Sequence, residues 1–371
     1  MRRRCVAAGA AALTAALAVS AHAMSQPAAV EELDPDDEAE GSAVVFMYHR
    51  FGEDDYPSTS VRIDQFEEQL DFLEEEDFNV WPVERVIEEL RSGGEIPERT
   101  VAITVDDAYA SVYEEAYPRL KERDWPMTVF VATDPVDRGG DSYLDWDQMR
   151  EMQDSGLVTF ANHSRSHDYL VRRDADEEDQ EAWERRMRED VNDAQQRLQE
   201  ELGEDVNTDP KLYAYPYGEY NTRLAEILDE KGYVAFGQHS GAVGSLSDER
   251  ALPRFPVNEQ FGGMDDFEQR ARSLPLPVVR MEPFEPVLDG NNPPRMVVEL
   301  AEGADVVRDR LACFASRQGA MPVEWLDEER TRFAVEAEEP FGTGRARYNC
   351  TAPHADGSGR FFWFSKQWLR Y

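Results

Sequence analysis

Two carboxylates stand side by side in Val101-Ala-Ile-Thr-Val-Asp106-Asp107-Ala-Tyr109, directly after a run of β-branched residues. Neighbouring side chains on a strand point to opposite faces, so this pair does not fit a core. At a strand end both can turn toward one concave site, where one holds a metal and the other moves a proton. The competing reading makes Asp107 the N-cap of a helix over Tyr109–Glu122. Downstream, His163 and His167 follow a second strand-like run, Leu157–Ala161. Two imidazoles at that spacing on a helical turn converge on one face. With a carboxylate they form a two-histidine, one-aspartate set with an open coordination position, the composition of a hydrolytic metal site. The chain has six histidines, and two fall here.

Positioning these groups requires strands that end at one mouth. The first strand is expected over Ala43–Tyr48, ending in His49-Arg50. A helical stripe follows in Arg62–Glu76 (Ile63, Phe66, Leu70, Leu73), then a helix over Val83–Leu90 closed by Ser92-Gly93-Gly94. After the aspartate strand come a helix to about Arg123, a strand over Met127–Ala132, a helix over Asp145–Asp154 and the strand leading to His163. A charged helix over about Asp176–Leu202 has sparse apolar positions and is expected outermost. Leu212–Tyr215 reads as a strand ending in Pro216-Tyr217-Gly218-Glu219-Tyr220. The helix Arg223–Lys231, the strand Tyr233–Phe236 with Gly237-Gln238-His239, and Ala251–Phe255 complete the series. Such alternation predicts a parallel sheet or barrel with helices outside. The polar singletons fall just after strands, where α/β barrels place their sites.

From Leu274 the character changes. Proline-spaced residues 276–294 read as a linker, and 295–371 as a small antiparallel β domain ending in the aromatic run Phe361-Phe362-Trp363-Phe364 and Trp368. That run suits either a sandwich core or a sugar-stacking surface that would position a polymer for the barrel. Residues 1–23 (Arg2-Arg3-Arg4, an apolar run, Ala21-His22-Ala23) match a secretory signal, and 24–42 an acidic disordered leader; the mature protein is expected to be exported to the periplasm or cell surface. Cys313 and Cys350 then form an even pair in an oxidising compartment, and one disulfide is the natural reading. The formal charge is −38, with four lysines against 35 arginines. This excludes nucleic acid and anionic lipid as main partners, and the self-repulsion points to a salty habitat that screens it.

Three of these stretches resemble one family. Val105-Asp106-Asp107-Ala108 resembles the Thr-Phe-Asp-Asp-Gly motif of the polysaccharide deacetylases (carbohydrate esterase family 4, the NodB-homology domain). His163-Ser-Arg-Ser-His167 matches their His-Ser/Thr-x-x-His motif, and Ala214-Tyr-Pro-Tyr-Gly218 resembles their Arg-x-Pro-Tyr-Gly. Met47-Tyr48-His49-Arg50 and Pro216-Tyr-Gly-Glu-Tyr220 look like the exopolysaccharide (poly-N-acetylglucosamine) branch. The resemblance implies a distorted (β/α) barrel over 43–275. It also implies a divalent ion, zinc by preference, on Asp107, His163 and His167. Asp106 would be the general base toward the attacking water, and the backbone N–H of Tyr217 would hold the oxyanion. The general acid falls to His49 or His239, His49 preferred because first and last strands are neighbours in a closed barrel. Two departures stand out: Ala108 replaces a glycine, and Ala214 replaces the arginine that orients the catalytic aspartate in many members. Asp141-Ser-Tyr-Leu-Asp145-Trp146 mimics a further motif in letters but lies before His163 rather than after Tyr217. The expected activity is removal of N-acetyl groups from N-acetylglucosamine residues of an exopolysaccharide. The alternatives are a glycan-binding module with weak or lost catalysis, or a deacetylase of peptidoglycan or chitin oligomers.

Overall fold

Six parallel strands carry the site: Ser42–Tyr48, Thr100–Asp106, Met127–Val131, Val158–Asn162, Lys211–Ala214 and Tyr233–Phe236, neighbours in that order. The protein is described by a computed structural model at residues 41–371 except 174, 175 and 177. The signal segment 1–23 and all but the last two residues of the leader 24–42 lie outside the described residues. The registers are parallel throughout, from Val44 opposite Val101 to Ala214 opposite Phe236. Strand Thr100–Asp106 is buried along its whole length, which is why it reads as a β-branched-rich run with no polar/apolar alternation.

The sheet curls until its two edges meet. Leu252 bridges Phe236 of the last strand, and Phe255 pairs with Phe46 of the first. The stretch expected as a final strand, Ala251–Phe255, is therefore a short seam. Leu252 N–H donates to Ala235 O and Val257 N–H to Met47 O, closing the barrel.

Helices cover the outside as expected, with three adjustments. The helix after Asp107 is interrupted: Val112–Ala116 forms a π-turn before Tyr117–Glu122. Pro118 has no N–H for the i→i−4 ladder, and Tyr117 N–H reaches back five residues to Val112 O instead. The helix expected from Asp176 spans Gln180–Leu202. It is not an outlying polar rod, because Trp183, Met187, Val191, Ala194, Leu198 and Leu202 are buried along one stripe. Third, Asp145 of the motif-like run caps the helix Trp146–Asp154, accepting from Gln148 N–H.

The C-terminal part holds a five-stranded sheet and a four-stranded sheet. Their inner faces share a core of Met296, Val298, Cys313, Phe333, Tyr348, Cys350 and Trp368. Cys313 and Cys350 face each other in register and are disulfide-bonded. The stretch 276–294 is not a free linker: Val278–Glu282 within it is a strand paired with Met296–Leu300. Leu274–Pro275, just before it, lies parallel to Phe362–Trp363 of the last strand. The aromatic run is mainly structural. Trp368 and Phe362 are buried, and Trp363 packs its ring 5.2 Å from Phe255 on the barrel seam.

Candidate metal centre

Each of the six strands except Met127–Val131 ends at or just before a candidate residue, and the backbone there is bent hard. Asp107, Ala108, Ser164, His167 and Tyr217 all have positive φ (75°, 57°, 73°, 55° and 58°). Non-glycine residues hold such conformations only where surrounding structure over-determines them, and they cluster at functional sites. At Asp107 the bend turns the side chain into the mouth beside Asp106, which settles the choice against a simple helix cap.

Asp107, His163 and His167 present ligand atoms within 4.8 Å of one another. Asp107 Oδ1 lies 2.9 Å from His167 Nε2 and 3.3 Å from His163 Nε2. Among the described residues neither Asp107 Oδ1 nor His163 Nε2 has a well-aligned hydrogen-bond partner, although both atoms are buried. Buried polar atoms are almost always paired, and converging lone pairs of this kind fit a divalent cation. The tautomer fits as well. His163 Nδ1 sits 2.8 Å from the carbonyl of Ala214, so Nδ1 donates there and the Nε2 lone pair faces the other ligands. Burial pushes the Asp107 carboxyl up, but the two imidazoles outweigh it and hold the group well below the usual carboxylate range.

The His163–His167 loop is fixed from two sides. Asn162 Oδ1 accepts from Ser164 N–H at 2.8 Å, and Asn162 Nδ2 donates to Val191 O at 3.0 Å. Asp190, buried on the helix Gln180–Leu202, accepts from the N–H groups of Arg165 (2.8 Å) and Ser166 (3.1 Å). Sequence reasoning missed Asp190 because one acid among so many carries no signal.

The second carboxylate, Asp106, is completely buried and clamped by Arg254. Arg254 Nη1 reaches Oδ1 at 2.7 Å and Nη2 reaches Oδ2 at 2.8 Å, both side chains fully buried. A bidentate guanidinium–carboxylate pair fixes orientation as well as charge. Burial pushes the Asp106 carboxyl up, but the Arg254 charge, followed by that of His163, more than offsets it and leaves the group below its ordinary value. The arginine absent at Ala214 is thus matched by one from the seam. Arg254 is held in turn by Gly237 O and Thr104 Oγ1 at 3.0 and 3.2 Å.

The two candidate acids are placed differently. His49 follows the first strand, where burial pushes its imidazole down while Asp107 and Asp106 pull it up, with the net shift downward. His239 lies behind Arg254, whose N–H donates to its carbonyl. Burial, then Lys366 and Arg347, push His239 down to about 3, and its Nδ1 has no hydrogen-bond partner among the described residues. Tyr217 occupies a left-handed turn after the strand Lys211–Ala214, its ring 4.7 Å from His167 and stacked 4.2 Å from Tyr169.

Residues 93–236 match the family model described as polysaccharide deacetylase. A poly-beta-1,6-N-acetyl-D-glucosamine N-deacetylase of Escherichia coli (strain K12) is 27% identical over 222 residues, covering 53% of this chain and 33% of its own length. The enzyme of the same name from Staphylococcus aureus (strain MRSA252) is 26% identical over 218 residues, covering 58% and 73%. This chain therefore spans about a third of the Escherichia coli relative. Among solved structures, IcaB from Ammonifex degensii is 26% identical with a TM-score of 0.51, covering 63% of this chain and 97% of that one. The Streptococcus pyogenes deacetylase PplD, 22% identical with a TM-score of 0.54 over 62% and 99%, shares the fold. A curled parallel sheet, paired aspartates and a histidine pair at its mouth accompany these likenesses, and the stretch that matches the polysaccharide deacetylase family model is residues 93–236.

Proposed function

We propose that the protein removes N-acetyl groups from N-acetylglucosamine residues of an exopolysaccharide, releasing acetate and leaving free amines. The observation that carries this reading is the placement of Asp106, clamped by Arg254, beside the unpaired lone pairs of Asp107 and His163. The relatives named for β-1,6-linked poly-N-acetylglucosamine support the substrate class. A divalent ion, zinc by its donor set, would be held by Asp107, His163 and His167, and would polarise the acetamide carbonyl and acidify water. Asp106 accepts the proton as the water oxygen attacks the carbonyl carbon. The N–H of Tyr217 donates to the oxygen that gains charge. His49 gives a proton to the sugar nitrogen as the C–N bond breaks, leaving acetate and an amine. His239 is the second choice for the acid.

The glycan-binding alternative drew on the missing arginine at Ala214 and on the open choice of acid; Arg254 on Asp106 answers the first, and the acid is assigned here to His49. Residues 1–23 as a secretory signal, with export to the periplasm or cell surface, complete the reading; among the described residues no helix is long and apolar enough to cross a membrane.

The test is acetate release from a β-1,6-linked N-acetylglucosamine oligomer at high salt, comparing chelated, zinc-restored and Asp106→Asn protein. Release that follows the metal and vanishes in the variant is expected. No release from protein that binds zinc stoichiometrically would sink the assignment and return the glycan-binding alternative.

A further inference from the structure

The last two strands of the C-terminal sheet reach into the mouth of the barrel. Gly344–Pro353 and Phe361–Arg370 pair antiparallel, with Arg345 opposite Leu369 and Arg347 opposite Gln367. Alternation therefore places Arg345 and Gln367 on one face of the pair. That face meets the turn Pro216–Gly218. Arg345 Nη1 donates to the carbonyl of Tyr217 at 2.8 Å, and Gln367 Nε2 donates to the carbonyl of Gly218. Two consecutive peptide carbonyls of a turn on the barrel are thus each held by a side chain from the other domain.

The turn needs holding. Tyr217 (φ 58°, ψ 7°) and Gly218 (φ 69°) are consecutive left-handed residues, and only the second is a glycine. A Cβ at position 218 would lie 2.8 Å from the backbone nitrogen of Gln238, so the turn also packs tightly against the next strand's loop. Glu219, almost fully buried, continues the restraint: Arg172 binds both its oxygens at 2.8 and 3.1 Å, and Arg345 Nε approaches at 3.9 Å. The same turn carries the Tyr217 ring that lies against His167.

We propose that Arg345 and Gln367 are positioning residues for the Tyr217 turn, making the C-terminal β domain part of the catalytic apparatus rather than a polymer-binding appendage. This rests on the deacetylase reading for its kinetic consequence, and on the turn geometry alone for its structural one. By fixing the carbonyls of the Tyr217–Gly218 and Gly218–Glu219 peptide links, the two side chains set where the Tyr217 N–H and ring point.

The experiment uses the full chain with zinc bound and compares Arg345→Met, Gln367→Met, the double variant and Arg345→Lys. Each is measured for kcat and KM on a short N-acetylglucosamine oligomer, zinc stoichiometry, Tm, and hydrogen exchange of the amides at 216–219. Misplacement of a reacting group by about 1 Å can cost about 100-fold. A fall in kcat of roughly that size in the double variant is expected, with KM and zinc content unchanged, exchange at 216–219 accelerated, and kcat largely restored in Arg345→Lys. Arg345 is half-exposed, so its variant keeps the test open should the Gln367 variants misfold. Unchanged kcat with unchanged exchange at 216–219 would overturn the inference, as would a loss of kcat that only tracks a loss of Tm or zinc. Should wild-type protein release no acetate, the deacetylase reading falls by itself. Exchange at 216–219 then decides the positioning role: faster in the double variant supports it, unchanged overturns it.

Discussion

Arg254→Met removes the pair of donors clamped onto Asp106 and leaves a carboxylate with no exposed surface facing a hydrocarbon chain. Breaking a buried pair by removing one partner typically costs about 3–5 kcal/mol, because the remaining charge stays desolvated. The protein can escape part of that cost by protonating Asp106. Its folded pKa lies below the unfolded value because Arg254 outweighs burial, so the wild-type contribution to stability is present above the unfolded carboxylate pKa and is lost as pH falls through the folded one. Without Arg254, burial raises the folded pKa above the unfolded one. Stability then falls as pH rises through that window, and a base that must be ionised is switched off at neutral pH. Urea unfolding from pH 4 to 9, with the pH profile of acetate release, reads both effects. The acidic limb of the rate profile should move to higher pH, and Arg254→Met with Asp106→Asn should recover much of the lost stability with no activity. A single variant with wild-type stability and an unmoved acidic limb would refute the argument that Arg254 sets the state of Asp106.

Three further outcomes are expected. Lys366, wholly buried beneath Tyr220 and Phe284, has its ammonium pushed down to about 7 by burial, partly countered by Glu285 and Asp248. A folded pKa below the unfolded value means stability should rise as pH climbs from about 7 toward 10. Lys366→Met should flatten that slope and gain up to a few kcal/mol at neutral pH, and an unchanged urea midpoint profile would contradict it. Asp190→Ala should strand the N–H groups of Arg165 and Ser166, costing about 1–3 kcal/mol for each and weakening zinc binding about 10- to 100-fold; titration with a competing chelator measures the latter, and unaltered affinity would show that the loop holds itself. The net charge of −38 predicts that Tm climbs with sodium chloride well beyond physiological strength, whereas a flat or falling Tm would leave the acidic surface without a salt-related role.

The parts of the site legible in the sequence were those whose geometry is local. Asp106 and Asp107 are adjacent, and His163 and His167 are four residues apart, so their convergence is local, although it is reached through a loop with left-handed Ser164 and His167 rather than the expected helical turn. Arg254 was invisible for the opposite reason. It is 148 residues from Asp106 and occupies a seam that exists only once the sheet has curled. Asp190 and Glu219 were hidden by composition, since an acid-rich surface masks the few acids that face inward. The charged helix was misjudged because its stripe mixes Trp, Met, Val and Ala with a buried aspartate, so counting large aliphatics undervalues it. The proline-spaced stretch after Leu276 looked like a linker because proline is poor in central strands, yet Val278–Glu282 is an edge strand, where prolines on either side are tolerated.

The seam also fixes when, during synthesis, the site can come into being. A nascent chain that has reached Phe236 already contains both aspartates, both histidines and the Tyr217 turn. Its sheet still has two open edges, because the residues that join Phe236 to Phe46 have not emerged. Arg254 arrives with those residues, and Arg345 and Gln367 only near the chain's end. The chemistry-bearing motifs are translated early, with Asn162 and Asp190 that fix the histidine loop, whereas the clamp on Asp106 comes late, so a ribosome-released fragment that stops at Phe236 would carry every recognisable motif and an unfinished site.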